Sequence, residues 1–299
     1  MPSKENKDVG VKPYIGVTGL TTLDEVTSTL KYFNGARYKG CLHVPMLGFL
    51  VSYKCLEYGF NPGDRKHPKL RDLSALLSEA KKDTNAFVTI HYYTKNTSRL
   101  YKEISKILKL DDIYERELCD GVQLNSVWPP KKEVLKIKEN FPRLKIILQL
   151  PNGATNGMSA QQISNRVKND YPYVEHVLID PSGGKGQPFD INRSTEIYNA
   201  LKSDGFNGHV GFAGGLRGEN VGAIISMLPS TGISIDAEGG LRDKLSDESG
   251  DSVLNLEKVK TYVTNAYASI RKRHAVTLLC ALVYYTHKTP PFILNHRKK

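Results

Sequence analysis

The stretch Val210-Gly-Phe-Ala-Gly-Gly-Leu-Arg-Gly-Glu-Asn-Val221 joins a short apolar strand, Val210–Ala213, through a glycine pair to a stretch of helical period, Gly218–Met227. Similar units extend to both sides, because further apolar runs alternate with amphipathic stretches. The eight predicted strands are Tyr14–Thr18, His43–Tyr53, Ala86–His91, Gly121–Asn125, Lys145–Gln149, His176–Asp180, Val210–Ala213 and Ile233–Asp236. Eight strand–helix units in roughly 260 residues predict an α/β protein, a (β/α)8 TIM barrel.

The other α/β arrangement with this alternation is an open doubly wound sheet. Its usual dinucleotide-binding sign is a GxGxxG motif after the first strand, and the turn Thr18-Gly-Leu-Thr21 lacks it. A capping box in Thr22-Leu-Asp-Glu25 predicts the start of the first helix. Further helices are predicted over Leu70–Lys82, Lys131–Asn140, Asn192–Ser203, Gly218–Met227 and Leu256–Tyr267. The barrel is therefore the favoured arrangement.

Composition indicates a soluble globular protein. The chain has 299 residues, 39% hydrophobic and 24% charged, which excludes disordered, collagen-like and coiled-coil chains. Met1–Lys12 is polar rather than signal-like, and the apolar run Ala275–Tyr285 is too short for a bilayer, so no membrane association is expected. Four cysteines without a CxxC pair are expected to be reduced thiols in a cytoplasmic protein.

The net charge of +11 is concentrated at one end of the chain. Residues 271–299 hold seven basic and no acidic side chains, so the remainder carries only +4. Such a run is usually solvated, and nucleic acid is therefore not expected as a partner. We predict a polar N-terminal extension at 1–12, the barrel at 13–270 and a basic tail at 271–299, with the last helix ending near Tyr267. The oligomeric state stays open, and Ala275–Tyr285 could form one more helix.

Polar residues lie at the predicted C-terminal ends of the strands, where the active sites of TIM barrels lie. A purely structural barrel would carry Val, Ile or Leu there, although any single polar residue could be a satisfied core group. Residues two apart on a strand face the same side, so these groups are expected to converge on a small-molecule site. The candidate substrate-binding residues are Thr18, His91, Gln123, Asn125 and Gln149, and the candidate catalytic residues are Asp180, Asp236, Glu238 and Lys54.

Glycine-rich loops follow the last three predicted strands. Bare backbone N–H groups in such loops can cradle a phosphate, and TIM barrels often hold phosphate after strands seven and eight. Tight turns without a ligand are the alternative interpretation. The candidate phosphate-binding residues are Gly183, Gly184, Gly186, Gly214, Gly215, Gly239 and Gly240.

These loops resemble motifs of phosphoribosylanthranilate isomerase, an enzyme of tryptophan biosynthesis. Asp180-Pro-Ser-Gly-Gly-Lys-Gly-Gln-Pro-Phe-Asp190 is similar to that family's D-x-x-x-G-G-T-G-x-x-F-D, and Ala213-Gly-Gly-Leu-Arg-Gly-Glu-Asn-Val221 to its A-G-G-L-x-x-E-N-V. Gly16-Val-Thr-Gly-Leu-Thr21 stands in place of K-I-C-G-L-T, and Val122-Gln-Leu-Asn-Ser126 in place of V-Q-L-H-G. The resemblance runs from about Tyr14 to Ala268. It implies a TIM barrel that binds a phosphorylated ligand and needs no metal.

The chain departs from this family at the reacting residues. The resemblance implies a strand-six aspartate as general acid, retained as Asp180, and a strand-one cysteine as general base, replaced by Thr18. A hydroxyl is too weak a base for that role at neutral pH. The lysine two residues earlier is Gly16, and strand eight carries Asp236 and Glu238 where the family has small residues. The phosphate half of the site is thus predicted to be kept and the reactive half to be changed.

Three hypotheses for the function remain open. The first is an enzyme acting on a phosphorylated sugar or ribonucleotide-like substrate, in which Asp180 and Asp236 or Glu238 divide the acid and base roles and Lys54 assists. The second is a phospho-ligand sensor without catalysis, and the third is a lyase that forms a Schiff base on Lys54. Oxygen ligands could suit a hard cation, but carboxylates at such a rim are more often hydrogen-bonded. No metal or other cofactor is therefore assigned, and whether a divalent cation binds Asp180, Asp236, Glu238 and His91 stays open.

Overall fold

Eight parallel strands close into a barrel in the computed structural model, which describes residues 12–181, 189–245 and 251–288, with side chains as far as Val276. The strands are β1 Tyr14–Thr18, β2 Val44–Ser52, β3 Phe87–Tyr93, β4 Gly121–Leu124, β5 Lys145–Pro151, β6 His176–Asp180, β7 His209–Ala213 and β8 Ser234–Ala237. Neighbours in the chain pair with each other, and β8 closes the barrel onto β1. The predicted TIM barrel is confirmed, and every predicted strand boundary lies within two residues of the observed one.

Helices surround the barrel. They are α1 Leu23–Gly35, α2 Tyr53–Tyr58, α3 Leu73–Ala80, α4 Leu100–Leu108, α5 Lys131–Asn140, α6 Asn152–Thr155, α7 Ala160–Asp170, α8 Ile191–Ser203, α9 Val221–Met227 and α10 Leu256–Lys288. The predicted capping box is present at α1, where the Glu25 N–H donates to Thr22 Oγ1 at 3.2 Å and the Thr22 N–H donates to the Glu25 carboxylate at 3.1 Å. A small antiparallel pair, β9 Arg242–Lys244 and β10 Ser252–Leu254, follows β8.

Alternation along the strands divides the core in two. Outward-facing apolar residues such as Ile15 and Val17 are buried in the large core between strands and helices. A smaller apolar cluster fills the inside of the barrel and consists of Tyr14, Met46, Ile147, Leu178 and Ala213. The polar strand ends therefore lie above an apolar floor, as the sequence predicted.

The last helix is longer than the sequence predicted. α10 continues to Lys288 instead of ending near Tyr267. Neither glycine nor proline occurs between those two residues, so nothing local ends the helix before Pro290, which lacks a backbone N–H. The predicted boundary between barrel and tail at residue 270 falls inside α10. The Arg271 side chain just beyond it donates to the Ala36 carbonyl at 2.8 Å, at the end of α1.

Candidate active site

Closure of the barrel brings six of the predicted site residues to its C-terminal mouth. They are buried and belong to strands β1, β3, β4, β5, β6 and β8. Alternation turns them inward, above the apolar floor. We call them the mouth cluster: Thr18, His91, Gln123, Gln149, Asp180 and Asp236.

Thr18 and Asp236 form the buried pair at the junction of β1 and β8. Thr18 Oγ1 donates a hydrogen bond to Asp236 Oδ1 at 2.8 Å. Gly16 lies opposite Asp236 in the strand register, and a Cβ at Gly16 would come within 2.6 Å of Asp236 Oδ1. The glycine that replaces the lysine of the resembled family therefore leaves the space that the Asp236 carboxyl occupies.

The Asp236 carboxyl differs chemically from an exposed aspartate. Burial raises its pKa to about 8, and the negative charges of Glu238 and Asp180 act in the same direction, against the lowering effect of the Thr18 hydroxyl. A carboxyl with that pKa is mostly protonated at neutral pH and can donate a proton.

A chain of amide hydrogen bonds positions Asp180. Gln123 Nε2 donates to Gln149 Oε1 at 3.0 Å, and Gln149 Nε2 donates to Asp180 Oδ2 at 2.8 Å. The three residues lie on the adjacent strands β4, β5 and β6, so the chain follows the barrel wall. The Gln123 Oε1 atom is buried without a hydrogen-bond partner among the described residues. The chain holds the Asp180 carboxylate in place, and one amide oxygen at its far end is left without a donor among the described residues.

His91 contributes a neutral ring to the same cluster. Burial lowers its pKa to about 3, and its Nε2 lies 3.0 Å from the Thr89 hydroxyl. A Cβ at Gly48 would come within 2.5 Å of Thr18 Oγ1 and 2.8 Å of His91 Nε2, so the glycine on β2 leaves space between these two side chains. His91 therefore acts through hydrogen bonding rather than through charge.

Glu238 lies at the rim, beyond the end of β8. Its carboxylate forms an ion pair with Lys66 at 3.3 Å, and each side chain is about one-third exposed. Arg242 is buried beside it, donating to the Gly19 carbonyl at 3.0 Å and to Ser252 Oγ at 3.2 Å. Burial lowers the Arg242 pKa and the negative charge of Glu238 opposes that shift. Neither cation was predicted from the sequence, although Arg242 lies only two residues after Gly240.

Two predicted residues lie apart from these hydrogen bonds. Lys54 lies on α2, because β2 ends at Ser52, and its half-buried amine forms no hydrogen bond or ion pair with a described residue. Asn125 follows the end of β4 and is half-buried, and its backbone N–H donates to the Tyr92 carbonyl at 2.9 Å. Their predicted roles stay predictions.

The glycine loops after β7 and β8 lie against each other. Gly214 and Gly215 have φ values of 103° and 64°, a region that favours glycine, and a Cβ at Gly240 would lie 2.0 Å from the Leu216 carbonyl. Among the described residues, none accepts a hydrogen bond from the N–H groups of Gly214, Gly215, Gly239 or Gly240. Gly183, Gly184 and Gly186 lie outside the described residues. Two touching loops thus hold four N–H donors that have no acceptor within the described part of the chain.

Neither a metal centre nor a membrane span is found in the described part of the chain. Its histidines, cysteines and carboxylates form no group of three placed to hold a metal ion. No helix within the same ranges combines the length and apolarity needed to cross a bilayer.

Fold and site together define a (β/α)8 barrel with a polar mouth. No protein-family model matches the sequence, and no curated protein matches it. Among solved structures, N-(5′-phosphoribosyl)anthranilate isomerase from Pyrococcus furiosus is similar at 15% identity and a TM-score of 0.54, over 85% of this chain and 98% of that chain.

Two further structures hold ligands. A phosphoribosyl anthranilate isomerase in complex with reduced 1-(o-carboxyphenylamino)-1-deoxyribulose 5-phosphate is 16% identical with a TM-score of 0.55, over 86% of this chain and 99% of that chain. Orotidine 5′-monophosphate decarboxylase from Methanocaldococcus jannaschii, complexed with the inhibitor BMP, is 13% identical with a TM-score of 0.50, again over 86% and 99%. The chain therefore has the fold of phosphoribosylanthranilate isomerase, and at these identities the likeness concerns the fold alone.

Proposed function

We propose that the barrel is an enzyme that carries out acid–base chemistry on a phosphorylated sugar or ribonucleotide-like substrate at its C-terminal mouth. The observation that carries the proposal is the buried Asp236 carboxyl, whose pKa burial raises to about 8 and which lies near Asp180. Asp236, which holds a proton, and Asp180, which accepts a hydrogen bond from Gln149, can divide the roles of acid and base. A barrel with a purely structural role gains nothing from burying them together, because a buried carboxyl costs free energy.

The phosphate end of the substrate is assigned to the glycine loops after β7 and β8. Their four N–H groups have no acceptor among the described residues, and backbone N–H groups of this kind bind anions. The register places Ala213, just before the first glycine pair, opposite Asp236. A phosphate in these loops would therefore hold the rest of the substrate above the mouth cluster. The 5-phosphate ligand of the similar isomerase structure supports this assignment by analogy.

At the reactive end, Asp236 is assigned the role of general acid and Asp180 that of general base. Asp236 holds a proton at neutral pH, and Asp180 is oriented by the amide of Gln149. Thr18 takes the position of the family's cysteine and hydrogen-bonds Asp236 instead of acting as a base. The rearrangement of the parental isomerase is therefore not assigned to this chain. Gln123 Oε1 and the His91 ring are the groups proposed to contact substrate hydroxyls.

Hydrogen exchange provides a test that does not require the substrate to be known. A protein that removes a C–H proton next to a carbonyl exchanges it with solvent, so sugar phosphates incubated with the protein in D2O should lose that signal in proton NMR. We expect exchange with at least one pentose phosphate and its loss in Asp180→Asn. Asp24→Asn, an exposed acid on α1, is the matched control.

The sensor hypothesis is the second candidate, favoured by the replacement of the family's base with Thr18. It predicts that a sugar phosphate binds in calorimetry but exchanges no proton, and that Asp180→Asn leaves the affinity unchanged. No contact of the described residues favours the Schiff-base hypothesis, because the Lys54 amine on α2 is half-buried and unpaired there. Covalent trapping of a substrate on Lys54 by borohydride would support the Schiff-base hypothesis instead.

A further inference from the structure

A cavity of about 560 Å³ lies at the end of the barrel opposite to the mouth cluster. The first residues of four strands line it: Val44 of β2, Phe87 of β3, Lys145 of β5 and His176 of β6. Small-molecule sites usually have volumes of roughly 300–1,000 Å³. The cavity is thus large enough for a ligand and is separate from the proposed acid–base site.

His176 forms the inner end of this cavity and is 2% exposed. Neither of its ring nitrogens has a hydrogen-bond partner among the described residues, and the same holds for the hydroxyl of the neighbouring Tyr14. Burial lowers the His176 pKa to about 3, so the ring is neutral and offers one N–H donor and one acceptor. Buried polar groups without partners cost free energy, and because both ring nitrogens are closed off from the cavity in this structure, a bound molecule satisfies them only after the covering side chains shift.

The cavity is both aromatic and basic. The Phe87 ring stacks on His176 with 5.4 Å between centroids. Five basic side chains line the cavity against two acidic ones. One of the five, Lys81, is already paired at 2.8 Å with Asp120, which also lines the cavity. The surroundings therefore favour an anion that has an apolar part.

Lys145 is the cation best placed to hold the charge of such a ligand. Its Nζ lies 4.0 Å from Glu175, a long ion pair, and Glu175 is already paired with Lys138. The Glu175 carboxylate also accepts from the Ile146 N–H at 2.8 Å. Glu175 thus has other partners, and the Lys145 ammonium is available to a ligand.

We propose that this cavity is a second binding site, for a small organic anion with a flat apolar ring. The ring packs against Phe87 and the anionic group contacts Lys145, and a shift of the side chains that cover His176 lets its N–H donate to one of the ligand's oxygens. The cavity lies at the opposite end of the barrel from the mouth cluster. Failure of ligand binding here therefore leaves the proposed enzymatic function unaffected, and failure of that function leaves this proposal unaffected.

The test uses NMR of the protein with isotope-labelled histidine rings, titrated with four probes. Benzoate and 5′-AMP combine a ring with a carboxylate or a phosphate, whereas acetate and inorganic phosphate lack the ring. We expect at least one ring-bearing anion to shift the His176 ring signal, with a Kd about tenfold or more below that of the ringless anion with the same charged group. If neither ring-bearing anion moves that signal, or if acetate and phosphate bind equally well, the proposal is wrong.

Two variants separate a binding role from a structural one. His176→Phe identifies the NMR signal and removes both nitrogens while keeping a ring against Phe87. Calorimetry, which needs no histidine signal, should then show that binding of the ring-bearing anion is lost, with Tm unchanged or raised. Lys145→Gln should weaken binding about tenfold, as expected for a lost charged hydrogen bond, while Glu175 keeps Lys138. Asp236→Asn, at the opposite end, should leave the Kd for benzoate unchanged. Unchanged binding in both cavity variants, or loss of binding in Asp236→Asn, would overturn the proposal.

Discussion

At the scale of single residues, the mouth of the barrel depends on Gly16 and Asp236 together. The two are opposite each other in the β1–β8 register. Gly16 has no side chain, and the Asp236 carboxyl occupies the space that a Cβ there would take. Thr18, two residues after Gly16, supplies the hydrogen bond. Three departures from the resembled isomerase family are therefore one coupled arrangement: a small residue, a hydroxyl and a buried carboxyl.

The buried Asp236 should make stability depend on pH. Because its pKa is raised from 3.8 to about 8, the folded protein holds a proton that the unfolded chain releases, and stability falls as pH rises through that window. The slope in the window is about 1.4 kcal/mol per pH unit for one proton. In urea unfolding between about pH 5 and about pH 7, Asp236→Asn should lack this slope and gain stability relative to the native chain. Parallel profiles for the two proteins would contradict the burial argument.

Gly16→Ala should disturb the same pair through steric overlap. The new Cβ would meet Asp236 Oδ1 and Met46 Cε, both at 2.6 Å, so we expect a loss of about 1–3 kcal/mol of stability and a reduced pH slope. Gly35→Ala is the matched control, because nothing lies within 4 Å of its Cβ at the end of α1. Chemical denaturation of both variants at two pH values measures the effect. Equal stabilities for the two variants would show that the space at Gly16 is not needed.

At the scale of elements, the loops that follow β7 and β8 act as one unit. Gly240 fits against the Leu216 carbonyl, and Asn220 Nδ2 donates to the Gly215 carbonyl at 2.8 Å, which holds the first loop in shape. The amide N–H groups of the glycines are left without acceptors among the described residues. Contact between the loops, rather than the glycines alone, therefore brings the two glycine pairs close together.

Alanine substitutions at Gly239 and Gly240 should distinguish a glycine needed for contact between the two loops from one needed for close approach of the ligand. Gly240→Ala brings a Cβ within 2.0 Å of the Leu216 carbonyl and should cost about 1–3 kcal/mol of stability as well as affinity for ribose 5-phosphate. Gly239→Ala meets nothing within 4 Å, so stability should change by less than about 0.5 kcal/mol while the affinity falls. Calorimetry and urea unfolding report the two quantities. Native affinity in Gly239→Ala would mean that these glycines serve only as turns.

At the scale of the whole molecule, α10 connects the tail to the barrel. It packs beside α1 and α9, and arginines on both sides of Lys272 reach backbone carbonyls of those neighbours. Arg271 donates to Ala36 at the end of α1, and Arg273 donates to Ile225 and Leu228 at the end of α9. Cations near helix C-termini are stabilising because the last carbonyls lack partners within the helix. The start of the basic tail thus contributes to the fold of the barrel.

Arg273→Ala should accordingly destabilise the whole barrel. We expect a loss of about 1–3 kcal/mol, because two buried or half-buried carbonyls lose a charged donor. Lys272→Ala, which is exposed on the same helix, should change stability by less than about 0.5 kcal/mol. Thermal unfolding of both variants provides the comparison. If Arg273→Ala unfolds at the native temperature, the contacts of this side chain with the end of α9 do not stabilise the barrel.

The sequence by itself determined the number and order of the barrel strands, whereas no range was predicted for α2, α4, α6 and α7 or for the β9–β10 pair. Apolar runs of strand length, a capping box at Thr22 and glycines after the strands are local signals, so all eight strands were placed to within two residues. The end of α10 was missed because no local signal marks it between Tyr267 and Pro290. Polar residues at the strand ends were recognised because such positions are usually apolar in a packed barrel.

Only the tertiary structure decided the chemistry of those residues. Thr18 and Asp236 are 218 positions apart in the chain, and barrel closure alone brings them to 2.8 Å and buries the carboxyl that then keeps its proton. The hydrogen bonds that join Gln123, Gln149 and Asp180, and the unpartnered ring of His176, likewise arise from neighbours on other strands. Local pattern depends on residues nearby in sequence, whereas burial, pairing and protonation depend on which distant side chains the closed barrel brings together.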